Sequence, residues 1–260
     1  MDEEAAALAR LREGGVVRPG WHLRRLLEAS GPEQGRSLGA LVERVCRGEP
    51  VHRVVGRREF HGLDLLLDAS TLEPRDDTET LVSLVLDHAG PAPRFADLGT
   101  GPGTVGLALL SERPGARAVL TDSSAEALAV ARRNAAALGF YAEFRKGSWC
   151  DALDDLFDFI VSNPPYIASG TIPTLDAAVR EHDPHLALDG GADGLDAFRL
   201  ILGGAAAHLE PGGFLALEIG FDQREAVERL GEEAGWRLEE ARTDTGSRDR
   251  ALLLRPRCER

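Results

Sequence analysis

The spacing of apolar residues predicts a small helical region at the start of the chain. Apolar positions recur at helical intervals in three segments, and Pro and Gly residues at positions 19–20 and 31–32 separate them. The three segments are residues 5–12, 21–29 and 38–46. Residues 51–67 instead predict a β-hairpin, with Gly62 near its turn, which would link this region to the rest of the chain.

The remainder of the chain predicts an α/β domain. From position 95 to position 254, strand-length apolar runs alternate with helix-length segments such as residues 125–138, and residues 78–89 predict a helix before the first of these strands. This alternation is typical of a doubly wound, mostly parallel sheet. The last two strands, residues 236–242 and 250–254, have no helix-length segment between them and predict an antiparallel hairpin. The expected domains are residues 1–50 (helical), residues 51–70 (linking hairpin) and residues 71–260 (α/β).

A glycine-rich turn follows the first strand of this domain, which begins at Phe95. The turn consists of Gly99, Thr100, Gly101, Pro102 and Gly103. Its glycines allow a sharp bend and let a ligand approach the backbone without a Cβ in the way. The third glycine comes one residue earlier than in the dinucleotide-binding pattern, and Pro102 lacks an N–H donor. These differences argue for a ligand other than a pyrophosphate; a tight turn without a ligand is the alternative.

Two further candidate residues follow the next two strands. Asp122 ends the strand of residues 117–121, where nucleotide-binding proteins place an acid against the two ribose hydroxyls. Its alternative role is to cap the following helix, although Ser123 or Ser124 could do so instead, and Ser123 with Glu126 makes a good capping box there. Trp149 follows the third strand and would offer a flat wall for an adenine ring, whereas a core tryptophan is the alternative.

The segment Asn163, Pro164, Pro165 and Tyr166 follows directly on an apolar strand, residues 157–162. Because proline has a fixed φ and no N–H, this turn presents free carbonyl oxygens beside the Asn163 side-chain oxygen. These acceptors and the aromatic face of Tyr166 suit a planar group that carries an N–H2, such as an amide or a nucleobase amine. Hydrogen bonds from both N–H groups would localise the nitrogen lone pair and direct it at an electrophile. An ordinary turn at a strand end is the alternative.

Composition restricts the classes of function. The net charge of −13 speaks against a nucleic-acid substrate, because phosphate binding needs clustered Lys and Arg. No stretch of about 20 apolar residues could span a membrane, and the first residues do not form a secretory signal. The cysteines, Cys46, Cys150 and Cys258, fit neither a disulfide framework nor a metal site. We therefore expect a cytoplasmic protein that holds no metal.

The connection formed by residues 168–194 is unusually long for a compact domain. Since it follows the residue 163–166 turn, we expect this loop to close over the substrate. His182, Asp183 and His185 within it resemble metal ligands, but no second cluster of such residues accompanies them. We interpret them as salt-bridged loop residues.

These motifs, in this order, resemble the class I S-adenosylmethionine-dependent methyltransferases. Most closely they resemble the protein-(glutamine-N5) methyltransferases that modify peptide chain release factors. The resemblance covers roughly residues 40–255 and implies a Rossmann-like sheet, mostly parallel, with an antiparallel C-terminal hairpin. The residues that carry it are 48–51, 58–60, 72–79, 97–103, 163–166, 179–191 and 217–220.

The resemblance also implies how the cofactor, S-adenosylmethionine, would be bound. Residues 99–103 would wrap its amino-acid part, Asp122 would hold its ribose, and Trp149 would face its adenine. Asn163 would lie between the cofactor and the substrate.

The implied methyl acceptor is the glutamine in the Gly-Gly-Gln loop of a release factor. Asn163 Oδ1 and the Pro164 carbonyl would accept the two N–H groups of its side chain, with Tyr166 packed against the amide. The chain departs from the family pattern at Asp76 and Ser148, and its N-terminal region is shorter. Three alternatives stay open: methylation of a nucleobase amine, methylation of a small-molecule amine or amide, and a cofactor-binding scaffold without activity.

Overall fold

The computed structural model describes residues 2–31 and 35–257. Two residues named above lie outside the described ranges: Pro32, in the second predicted helix break, and Cys258. The helices of the described N-terminal part are α1 Glu3–Glu13, α2 Pro19–Glu28, α3 Leu38–Cys46 and α4 Val51–Val55. They enclose a hydrophobic cluster of their own, which extends along the chain from Ala7 to Val54. The domain division at residue 50 stays a prediction.

The predicted hairpin begins later than we expected. Residues 51–55 form α4 instead of a strand, so this part of the prediction was wrong. Val51 and Val54 are three positions apart, so a helix places both on one face, where they are buried in the N-terminal cluster. The hairpin itself consists of β1 Arg57–Phe60 and β2 Leu63–Leu66, which pair antiparallel. Gly62 lies in its turn with a φ of 74°, as predicted.

A seven-stranded sheet forms the centre of the α/β region, in the order β5-β4-β3-β6-β7-β9-β8. Its strands are β3 Arg94–Leu98, β4 Arg117–Asp122, β5 Glu143–Lys146, β6 Phe157–Ser162, β7 Leu209–Glu218, β8 Trp236–Thr243 and β9 Asp249–Pro256. The pairs among β3 to β7 are parallel, whereas β9 pairs antiparallel with both β7 and β8. This arrangement confirms the predicted fold class, including the antiparallel C-terminal hairpin.

Helices cover both faces of the sheet. They are α5 Glu79–His88, α6 Thr104–Glu112, α7 Ala125–Leu138, α9 Asp196–Gly204 and α10 Arg224–Glu233, while the short α8, Ala177–Arg180, belongs to the loop of residues 168–194. Side chains of α5, α6 and α7 pack in one hydrophobic cluster and those of α9 and α10 in another. Phe95, Phe159 and Phe214 stand side by side on β3, β6 and β7 in the first cluster. Their rings stack with centroids 4.9 and 5.1 Å apart, in agreement with the register in which these strands pair.

The topology determines where a ligand can bind. From β3 the chain proceeds to β4 and β5 on one side, and β6 then pairs with β3 on its other side. Connections that diverge in this way leave a crevice at the carboxyl ends of the strands. The glycine-rich turn follows β3 and Asn163 follows β6, so both lie at this crevice. Within the described residues, no helix is long and apolar enough to cross a membrane.

Candidate functional site

A cavity of about 600 Å³ lies at the carboxyl ends of β3, β4 and β6. Most of the predicted site residues line it: Gly99, Thr100, Gly101, Pro102, Asp122, Trp149, Asn163 and Pro165. Gly103, Pro164 and Tyr166 are not among the lining residues. Gly103 precedes α6 with a φ of 92°, Pro164 is buried, and Tyr166 packs against the hydrophobic cluster that contains α9 and α10. Most residues of the sequence motifs therefore line one cavity, while Gly103, Pro164 and Tyr166 are chain neighbours of residues that line it.

Backbone conformation and nearby acceptors hold the glycine-rich turn in place. Gly99, Gly101 and Gly103 all have positive φ angles, of 70°, 58° and 92°, where a side chain would be strained. The N–H of Gly101 donates to Asp122 Oδ2 at 2.9 Å. A Cβ on Gly99 would lie 3.3 Å from the Trp149 ring, so the ring packs directly against the turn.

Asp97, which the sequence analysis did not single out as a site residue, joins the turn to α6. Its Oδ2 accepts hydrogen bonds from Thr100 Oγ1 at 2.6 Å and from Gly106 N at 3.0 Å. Burial raises the pKa of Asp97 to about 6, although these two donors oppose the shift. A Cβ on Gly106 would lie only 2.3 Å from Leu120 Cδ2, so α6 packs closely on the sheet here. The sequence signal that could have identified Asp97 is an acidic residue two positions before the first glycine of the turn.

Asp122 lies at the end of β4 with both carboxylate oxygens engaged by backbone donors. Besides the Gly101 bond, its Oδ1 accepts from Ser124 N at 2.9 Å. Burial raises the pKa of Asp122. The helix cap itself is Ser124, whose Oγ accepts from Ala127 N at 3.1 Å and bonds Glu126. Of the two serines expected to cap this helix, Ser124 is confirmed, and the capping box predicted at Ser123 was wrong by one position.

Asn163 contacts a residue that is distant in the sequence. Its Nδ2 lies 3.3 Å from the hydroxyl oxygen of Thr78, which precedes α5 and is buried. The neighbouring Ser162 donates to the Leu98 carbonyl at 2.7 Å, which ties the end of β6 to the end of β3. Asn163 is thus held next to the glycine-rich turn. Thr78 was not among the site residues predicted from the sequence.

Glu218, at the end of β7, forms the polar floor beneath the residue 163–166 turn. Tyr166 donates its hydroxyl to Glu218 Oε1 at 3.4 Å, and Glu218 is 2% exposed. Burial raises the pKa of Glu218 to about 7, while the Thr78 hydroxyl and Arg250 oppose the shift. Burial and the nearby Glu218 also raise the pKa of Tyr166, so its phenol stays protonated and serves as a donor.

The long loop after residue 166 forms a wall of the cavity. Its lining residues are Pro184, Leu186, Ala187 and Asp189. Asp183, just before them, is buried and bonds both Arg53 and Arg75. This contact confirms that Asp183 is a salt-bridged residue. In residues 2–31 and 35–257, no group of three or more His, Cys, Asp or Glu side chains is placed to hold a metal ion.

Comparison with known proteins identifies the family of this chain. A release factor glutamine methyltransferase of Agrobacterium fabrum is 46% identical over 86% of this chain and 80% of its own length. One from Caulobacter vibrioides is 41% identical over 95% of this chain and 93% of its own length. The chain belongs to the release factor glutamine methyltransferase family. Residues 75–192 also match the family model of the methyltransferase small domain.

Solved structures with the same fold are more distant in sequence. A ribosomal protein L11 methylase of Lactobacillus delbrueckii superposes with a TM-score of 0.55 at 21% identity, over 71% of this chain and 81% of the other. A methyltransferase of Pyrococcus furiosus gives 0.56 at 20% identity, over 74% and 88%. At this level of identity the likeness establishes the fold, which is that of the class I methyltransferases.

Proposed function

We propose that this protein transfers a methyl group from S-adenosylmethionine to the side-chain amide nitrogen of a glutamine in a peptide chain release factor. The observation that carries the proposal is the meeting of two motifs. The glycine-rich turn after β3 and Asn163 after β6 line the same cavity. A cofactor held by the first would be adjacent to an amide held by the second. Family membership supports the release factor as the substrate.

The cofactor half of the cavity fits S-adenosylmethionine. A Cβ on Gly101 would meet no described atom within 4 Å, so the turn leaves open space for a ligand at that point. Asp122 offers carboxylate oxygens for ribose hydroxyls, and Trp149 offers a ring face for adenine. S-adenosylmethionine supplies an electrophilic methyl group on a positively charged sulfur. The residues that line this half then have to bind and orient the cofactor.

The substrate half fits a planar amide. Asn163 Oδ1, on a side chain that lines the cavity, would accept one N–H group of the glutamine, and Tyr166 would support the turn from below. The family resemblance implies that the Pro164 carbonyl accepts the second N–H group; Pro164 itself is buried and does not line the cavity, so this contact requires the turn to adjust when the substrate binds. These bonds localise the nitrogen lone pair and aim it at the cavity's cofactor half. No strong base is required at the attack, because the surplus proton leaves after the methyl group has been transferred. Positioning then supplies most of the rate enhancement.

The proposed partner agrees with the charge of the chain. A net charge of −13 is unfavourable for a nucleic-acid substrate, whereas a protein loop needs no phosphate contacts. A release factor acts in translation, so this substrate implies a cytoplasmic location.

The direct test is transfer of a labelled methyl group from S-adenosylmethionine to a purified release factor. We expect label on the factor with its Gly-Gly-Gln loop and none on a Gln→Ala version of the same factor. We also expect Asn163→Ala to abolish transfer while cofactor affinity, measured by titration calorimetry, stays nearly unchanged, because Asn163 contacts the acceptor amide. Equal label on both versions of the factor, or near-normal turnover by Asn163→Ala, would contradict the proposal.

A further inference from the structure

Three hydrogen bonds of Gln223 join the residue 163–166 turn to the far end of the long loop that follows it. Gln223 lies between β7 and α10, and its Nε2 donates to the Tyr166 carbonyl at 2.9 Å and to the Gly194 carbonyl at 3.2 Å. Its Oε1 accepts from Gly220 N at 3.0 Å. One side chain thus connects three backbone segments: the turn after β6, the end of the loop and the chain just after β7.

The Gln223 amide fits this junction in one orientation only. The two carbonyl oxygens require a donor and the Gly220 N–H requires an acceptor, so the N–H2 group must face the carbonyls. Among the described residues, no other hydrogen bond reaches the carbonyl of Tyr166 or of Gly194. Because a buried carbonyl without a donor is unfavourable, the junction depends on the two N–H groups of Gln223.

The junction is also closely packed. A Cβ on Gly194 would lie 2.5 Å from the Tyr166 carbonyl oxygen and 2.8 Å from Gln223 Nε2. A Cβ on Gly220 would lie 2.8 Å from Gln223 Oε1. At these distances a neighbouring atom would have to move, so a change at any of the three segments is transmitted to the others.

The two ends of the loop pair with each other beside this junction. Ile167 N donates to the Leu188 carbonyl at 3.0 Å, and Gly190 N donates to the Ile167 carbonyl at 2.8 Å. Between these partners lies Asp189, which lines the cavity. The residues that follow the turn therefore run alongside the residues that form the cavity wall, and Gln223 ties both to the end of β7.

We propose that Gln223 is a positioning residue for methyl transfer, which holds the end of the residue 163–166 turn against the loop that walls the cavity. Gln223 does not line the cavity itself, so it acts through the backbone that it binds. Tyr166 follows Asn163 by three positions, and a misplacement of about 1 Å at a reacting group can lower a rate about a hundredfold. This inference rests on the proposed function, because the position of Asn163 matters only if it binds the acceptor amide.

The first experiment compares release-factor methylation by Gln223→Glu with that by the wild type. The carboxylate has the shape of the amide but no donors, so it would repel the two carbonyl oxygens. At saturating release factor we expect kcat to fall about tenfold to a hundredfold, with unchanged affinity for S-adenosylhomocysteine. Arg229→Gln lowers the net charge by the same unit at an exposed position of α10 and should keep the wild-type rate.

Rates have to be counted per cofactor-binding site, which calorimetric titration provides. Misfolded protein then does not contribute to the measured kcat. If Gln223 served stability alone, Gln223→Glu would have fewer binding sites per chain but a normal kcat per site. If it positions the turn, kcat per site falls.

Gly194→Ala tests the same junction from the loop side, including the case where Gln223→Glu does not fold. Its Cβ would displace the Tyr166 carbonyl or the Gln223 amide, so kcat per site should fall. Gly170→Ala is the control in the same loop, because its Cβ would meet no described atom within 4 Å, and it should keep the wild-type rate. Combined in one protein, Gly194→Ala and Gln223→Glu should lower kcat by less than the product of their separate factors, since both disrupt one junction.

Two outcomes would overturn the positioning role alone. They are a normal kcat per site in Gln223→Glu or in Gly194→Ala, and a combined variant whose loss equals the full product of the two factors. A wild-type protein that binds the cofactor but methylates no release factor would overturn the proposed function, and this inference with it.

Discussion

The two halves of the cavity are built in different ways. The cofactor half consists of the glycine-rich turn with Asp97 and Asp122, and its hydrogen bonds join residues 3, 9 and 21 positions apart. The substrate half consists of Asn163 and the loop that contains Asp183. Its contacts join Asn163 to Thr78 over 85 positions and Asp183 to Arg53 over 130 positions.

This difference determines which interactions hold each half of the cavity in place. Backbone N–H groups and positive φ angles shape the cofactor half, so a short run of sequence specifies most of it. The substrate half is fixed by side chains that meet only after the sheet and the N-terminal helices have packed together. We therefore expect substitutions in the cofactor half to act locally on ligand binding or packing. Substitutions in the substrate half should disturb contacts between distant parts of the chain.

The largest expected effect is on stability and follows from Asp183→Ala. The side chains of Asp183 and Arg53 are 2% and 5% exposed, so the substitution leaves the Arg53 guanidinium buried without its carboxylate. Breaking one side of a buried ion pair costs about 3–5 kcal/mol in the free energy of unfolding. Urea denaturation followed by circular dichroism would measure it.

A matched control lies in the same loop. Asp193 pairs with Arg199, but both side chains are largely exposed to solvent, at 49% and 43%. Because water screens such a pair, Asp193→Ala should leave the urea midpoint almost unchanged. If the two variants were equally stable, the buried pair between the N-terminal region and the loop would not hold the substrate half in place.

Gly106→Ala tests the packing beneath the cofactor half. The added Cβ would lie 2.3 Å from Leu120 Cδ2 and 2.9 Å from Asp97 Oδ2, so α6 must move away from the sheet. Overpacking of this kind destabilises a core by about 1–3 kcal/mol. Gly203→Ala is the control, because Gly203 is also helical but its Cβ would meet no described atom within 4 Å. That variant should gain about 0.5–1 kcal/mol, and a loss of equal size in both would contradict close packing at Gly106.

The contrast between the halves also explains how much of the site the sequence could predict. The glycine-rich turn, Asp122 and the residue 163–166 turn are local patterns, and all of them lie in or against the cavity. Thr78 and Glu218 were missed as site residues because their importance comes from contacts across the fold. No local pattern distinguishes a threonine that faces Asn163 from one that caps a helix.

The fold was predicted well where hydrophobic periodicity alone decides the element, as in the strands of the sheet and helix α7. It was predicted wrongly at residues 51–55, where three β-branched valines favour a strand. Burial of Val51 and Val54 among the N-terminal helices overrides that preference. The helix of residues 125–138 was predicted with its observed bounds, but the capping box was placed at Ser123 instead of Ser124, because the two serines are alike in sequence and only the backbone distinguishes them.

Of these substitutions, Asp122→Ala should have the smallest effect on the stability of the fold, but it should weaken binding of the cofactor. The carboxylate accepts from Gly101 N and Ser124 N and faces the cavity, so its loss removes both the brace of the turn and an acceptor for ribose hydroxyls. Hydrogen bonds to a charged group of this kind are worth about 1–3 kcal/mol, which calorimetric titration with S-adenosylhomocysteine would detect. Glu126→Ala removes the same charge from an exposed residue at the rim of the same cavity and should leave the affinity nearly unchanged. The opposite result would be an Asp122→Ala variant that binds the cofactor normally but has a raised KM for the release factor. A residue of the cofactor half would then act on the substrate, which would contradict the division of the cavity into two halves.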